Sequence, residues 1–139
     1  MKRLLSSIGA ARLLSGASSP LLAHHSFAMF DQTRKVTIEG TIAEVQWTNP
    51  HVWIHVDVRK DDGSVEQWPI ELTSRVHLTR RGFPIDDIHV GDTGRFTVSP
   101  YANGQPGGRF FILELDKGIV HLDPGARREY EAQQRAAAE

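Results

Sequence analysis

Alternation of apolar and polar positions organises the middle of the chain. In "HVWIHVDV", His51 to Val58, one strand face carries Val52, Ile54, Val56 and Val58. The other carries His51, Trp53, His55 and Asp57, a set unusually rich in chemistry for a solvent face. Upstream, "VTIEGTIAEVQW" puts Val36, Ile38 and Ile42 on one side, then Val45 and Trp47 on the opposite parity. A parity change within one long strand predicts a bulge or sharp coil, which Gly40 would permit. "TNP" at Thr48 to Pro50 reads as a turn, and "KDDGS" closes a hairpin at Asp62-Gly63.

The third strand is "VEQWPIEL", with Trp68, Ile70 and Leu72 inward. Pro69 has no N–H to donate, which predicts an edge strand or an interruption. The period then changes. Ser74 to Arg81 reads as one short helix, with Thr73 or Ser74 as cap, Val76 and Leu78 as its apolar residues, and Gly82 at its end. "TGRFTVSPY" is the fourth strand, "ANGQPGG" a hairpin loop and "RFFILEL" the fifth strand. Residues 123–139 form a tail, helical or disordered, with too few apolar positions to bury a face.

Strand, strand, strand, short helix, strand, strand, with a long coiled first strand, describes an all-β domain: a five-stranded OB-like Greek-key barrel. Another small antiparallel barrel or sandwich would also fit the order. The expected core is Val36, Ile38, Ile42, Val52, Ile54, Val56, Ile70, Leu72, Phe96, Val98, Phe111 and Leu113. Glu71 and Asp57 alternate with apolar neighbours and should point away from that core. Either can partner a histidine, and solvated carboxylates are the plainer expectation.

Composition changes the picture in three ways. The 139 residues fit one domain, and no apolar run is long enough for a membrane-spanning helix. There is no cysteine, which removes disulfides, thiolate nucleophiles and thiolate metal sites together. Residues 1–23, "MKRLLSSIGAARLLSGASSPLLA", have a basic start, no acid and a small final residue. They read as a leader cleaved after Ala23, secretory or, as the alternative, an organellar transit peptide. The expectation is export to the periplasm or beyond, with residues 24–122 as the barrel domain. Loss of Lys2, Arg3 and Arg12 leaves 13 basic against 17 acidic side chains, a balance of −4. That is a poor surface for nucleic acid, and no nucleic-acid partner is expected.

Cleavage after Ala23 would make His24 the first residue. Its free amine and ring Nδ1 can then chelate one metal ion from a single residue. A further nitrogen from His51, beside the turn, would complete a T-shaped all-nitrogen set suited to Cu(II), and His25 can supply another donor. A flexible, ligand-free terminus is the plainer alternative. His55 lies four residues beyond His51 on the same strand face, about 13 Å away, so the two cannot share an ion without a bend. Phe27 and Phe30 would anchor the amino-terminal segment on the barrel. Most tryptophans pack, but Trp53 shares the histidine face and, with Trp47, Asn49 and His55, is a candidate for ligand contact. The sequence carries no phosphate-binding glycine loop, nucleophile elbow or zinc-protease helix. Binding of a small ligand or a periplasmic protein partner is therefore expected in place of turnover. The alternative is a metal-independent interaction or sugar-binding module, and a copper-dependent enzyme ranks last.

The stretches "AHHSFAMFD", "VTIEGTIAEVQWTNPHVWIHVDV", "WPIELTSRVHLTRRGF" and "VGDTGRFTV" together resemble a family of small exported bacterial proteins, the domain of unknown function 6152 family. The resemblance runs from about Ala23 to Tyr101. The matched positions are His24, His25, Ser26 and Phe27, then Trp47, Thr48, Asn49, Pro50 and His51, then Arg81 and Gly82. Phe83 stands where a tryptophan is usual, and Gln46 where an acid is usual. The resemblance implies an exported protein whose two histidine motifs are the family's own. It implies no particular activity.

Overall fold

The computed structural model describes residues 28–83 and 85–138. The strands are β1 (Val36–Gln46), β2 (Trp53–Arg59), β3 (Val65–Glu71), β4 (Thr93–Pro100), β5 (Gly108–Leu115) and β6 (Val120–Leu122). Helix α1 (Arg75–Arg80) lies between β3 and β4, and α2 (Arg127–Ala137) follows β6. The strands run β3-β2-β1-β4-β5-β6, and β3 also pairs with β5. That last pairing closes a five-stranded barrel of OB type, with β6 added outside the closure.

β1 makes the closure possible. Its first half, Val36 to Thr41, pairs with β4, and its second half, Thr41 to Gln46, pairs with β2. One strand thus belongs to two sheets and must coil between them. The expected parity change is present, but the register shift falls between Ile42 and Glu44, at Ala43, rather than at Gly40. Gly40 serves close packing: a Cβ there would sit 2.5 Å from the Asp57 carbonyl oxygen and 2.6 Å from a Val56 methyl.

β3 joins β5 through only two parallel pairs, Ile70 with Gly108 and Glu71 with Arg109. The remainder of β3 pairs with β2 alone, which suits Pro69. Gly108 lies so close to Ser99 of β4 that a Cβ would collide with its carbonyl oxygen. A glycine is therefore needed where three strands converge.

Eleven of the expected core residues are in the core or packed against it; Val36 is only half-buried. Phe111 is the exception. A register shift between Thr97 and Val98 of β4 leaves it opposite no residue, and Phe110 turns inward instead. The sequence "RFFILEL" offers two adjacent phenylalanines, and only the bulge decides between them. Helix α1 begins on Ser74, whose Oγ accepts from the His77 N–H at 3.3 Å, and Gly82 follows its end at φ +69°. Its expected apolar pair splits: Leu78 is buried, whereas Val76 is exposed. No residue of α2 is buried.

Candidate functional site

The turn "TNPH" delivers His51 to the mouth of β2. The Thr48 hydroxyl donates to the His51 carbonyl at 3.1 Å, and the Asn49–Pro50 peptide is cis. Beyond the turn the ladder runs on past the ends of β2 and β3: the Leu72 N–H donates to the Val52 carbonyl at 2.8 Å, and the Val52 N–H to Thr73 at 3.3 Å. Trp53 is paired with Glu71, so His51 is the diagonal neighbour of Glu71 on the same sheet face. The two side chains meet, His51 Nδ1 against Glu71 Oε1.

Glu71 is the unexpected member. It does not point into solvent as its alternation implied; it is 8 % exposed. Barrel closure is the cause, because β5 arrives beside the last residue of β3 and covers it. Burial raises the Glu71 carboxyl above its ordinary range, and the charges of His51 and Arg109 act in the opposite direction without cancelling that effect. Nearby, the Tyr101 hydroxyl is also held up, first by burial and then by the Glu71 charge. Arg109 reaches Asp123 at 3.4 Å. Two paired sets, His51 with Glu71 and Arg109 with Asp123, therefore run across the closing edge of the barrel.

Behind these pairs lies a cleft of about 80 Å³ between β3, α1 and β6. Leu72, Leu78, Phe83, Phe110 and Leu122 line it with hydrocarbon, and Glu71, Arg81, Arg109 and Asp123 contribute its ionic groups. Phe83 organises the aromatic wall. It meets Trp47 edge-on at 6.4 Å, Phe110 at 6.1 Å and the His121 ring at 4.5 Å. His121 Nε2 is sealed from solvent without a hydrogen bond. Burial lowers the His121 pKa and Asp87 only partly opposes this, so the imidazole is neutral at pH 7.

The other expected site residues fall on different ground. Asn49 is exposed in the turn. Trp47 packs on the core, and Trp53 is half-buried on the His51 face. His55 pairs with Pro69 further along the sheet, and its Nδ1 is sealed without a partner. Asp57 accepts a 3.3 Å hydrogen bond from Gln67 rather than from a histidine. His24 and His25 lie outside the described residues, as does Phe27. Among the described residues no group of three or more histidine, aspartate or glutamate side chains is placed to hold a metal. Sequence reasoning missed Arg109, His121 and Asp123. Arg109 is the second residue of β5 and His121 sits in a three-residue strand, and neither has a motif around it.

A family model described as a family of unknown function (DUF6152) matches residues 11–110. The chain belongs to this family. No curated protein matches the chain. Among solved structures, the mitochondrial single-stranded DNA binding protein Rim1 from S. cerevisiae is similar at 14 % identity and a TM-score of 0.48. The match covers 62 % of this chain and 96 % of that one. No helix among the described residues is long and apolar enough to cross a membrane.

Proposed function

We propose that this member of the DUF6152 family is an exported metal-binding protein that takes Cu(II) through His51 and a processed amino terminus beginning at His24. The observation that carries the reading is the His51–Glu71 contact. A buried carboxylate on Nδ1 fixes the ring and leaves Nε2, which has no hydrogen-bond partner among the described residues, as the donor nitrogen. A histidine held by a carboxylate through its other nitrogen is the usual arrangement of a metal ligand.

The path of the amino-terminal segment supports the same reading. Phe30 is buried and stacks on Tyr101 with ring centroids 5.3 Å apart. The Ala102 N–H donates to the Met29 carbonyl at 2.9 Å, which ties the segment to the end of β4. Tyr101 in turn lies close enough to Glu71 to feel its charge. Ala28 is four residues from His24, a reach of about 14 Å when extended. The role is binding rather than turnover, as in a carrier or accessory subunit.

Titration of protein beginning at His24 with Cu(II), followed by calorimetry and electron paramagnetic resonance, tests this. His51→Ala is expected to weaken binding at least tenfold, about 1.4 kcal/mol. One residue added before His24 should be as harmful, because it moves the amine off the chelating residue. Glu71→Gln should cost about tenfold, as loss of the orienting carboxylate does elsewhere. His55→Ala should do little. Affinity unchanged by both the extension and His51→Ala rejects the site, as does a native terminus other than His24 in the intact mass.

A further inference from the structure

We infer that the cleft between β3, α1 and β6 is a binding site for a small carboxylate with an apolar body, held by Arg81 at its mouth. The inference is independent of the metal reading. Three observations define the ligand. Leu72, Leu78, Phe83, Phe110 and Leu122 give the cleft more apolar than polar lining, which favours a ligand with an apolar body. The space, about 80 Å³, accommodates roughly half a dozen atoms, allowing about 10–15 Å³ for each water-sized sphere. A single ring or a short chain fits, whereas a nucleotide or a disaccharide does not.

The charge of the ligand follows from which lining groups are already compensated. Glu71 is met by His51, and Arg109 and Asp123 are met by each other. Arg81 also lines the cleft, and it makes no ion pair among the described residues. Its backbone N–H caps α1 on the His77 and Leu78 carbonyls, which fixes the base of the side chain while the residue itself remains exposed. A guanidinium on a fixed base at the rim of an apolar cleft is suited to grip a carboxylate through two parallel N–H donors. His121 serves as wall rather than receptor, because its ring lies against Phe83 and its Nε2 is sealed.

Benzoate is the probe, with acetate as the anion lacking a body and benzamide as the body lacking a charge. Two-dimensional NMR of the processed protein, with chelator present to exclude metal, reads the binding. Benzoate is expected to give saturable shifts centred on Leu78, Phe83, Phe110 and Leu122, at least fivefold tighter than acetate or benzamide. Arg81→Gln, an exposed change that leaves the fold intact, should weaken benzoate at least fivefold and leave benzamide unchanged. The proposal is overturned by any of three results: no saturable shift at these residues, acetate binding as well as benzoate, or benzoate affinity unaffected by Arg81→Gln.

Discussion

Two clusters in this molecule are built from the same parts and behave oppositely. At the closing edge, His51, Glu71 and Arg109 surround a carboxylate whose pKa is raised. In the loop before β4, Asp92 is met by His89 and by Lys117 from the turn after β5, and its pKa is lowered. Burial pushes both carboxyls upward. At Asp92 that push is outweighed by hydrogen bonds from Lys117 at 2.7 Å and from the His89 N–H at 2.8 Å, joined by the charges of both side chains. Glu71 meets His51 and feels the charge of Arg109, and these do not offset its burial. The balance between depth of burial and the charges and hydrogen bonds a carboxylate receives, more than the mere presence of a cation, decides the direction of its shift. An anion with several donors is a structural clamp. A more deeply buried anion whose pKa is raised is placed to orient another group, here His51.

The sharpest way to break this comparison is to remove each cation. Arg109→Met removes the ion-pair partner of Asp123 and one of the two charges acting on the buried Glu71, and should cost about 2 kcal/mol in urea unfolding. Lys117→Met removes an ion pair of much the same exposure but with no buried carboxylate beside it among the described residues, and should cost about 0.5–1 kcal/mol. Equal losses would show that burial does not separate the two clusters. Salt sharpens the contrast: at 1 M NaCl the Lys117 effect should fade while most of the Arg109 effect remains.

Acid adds two smaller tests. The His121 pKa is below its ordinary 6.5, so below that pH the unfolded chain binds more protons than the folded one. Stability is therefore full above about pH 6.5 and declines as pH falls toward the folded value. His121→Leu should remove that decline; unfolding midpoints between pH 7 and 5 that fall equally in both proteins would refute the assignment. Asp92 has the same sign in a more acidic window. Its folded pKa lies below 3.8, so its contribution is present above 3.8 and disappears as pH drops through the folded value. Asp92→Asn should cost about 0.5 kcal/mol at pH 7 and nothing once both states are protonated. A loss that persists in strong acid would mean that Asp92 acts through packing rather than charge.

The alternation in "HVWIHVDV", the turn at Asp62-Gly63 and the capped helix after Ser74 are local facts, and each was legible because strand parity, turn chemistry and capping depend on neighbours in sequence. They determined the element order, and with it the OB barrel and nearly all of its core. They also put His51 on the face opposite that core, next to a turn. What the alternation did not carry is anything that arises where strands distant in sequence converge. The choice of Phe110 over Phe111 hangs on one bulge against β4. The burial of Glu71 hangs on two residue pairs between β3 and β5, strands separated by a helix and a fourth strand. Arg109, Asp123 and His121 enter the cleft for the same reason: closure of the barrel brings the start of β5 and the added β6 against the end of β3. Side-chain period tells which face a residue takes, but only closure decides what covers that face. The tertiary fold therefore turned a carboxylate that reads as solvated into the buried partner of His51.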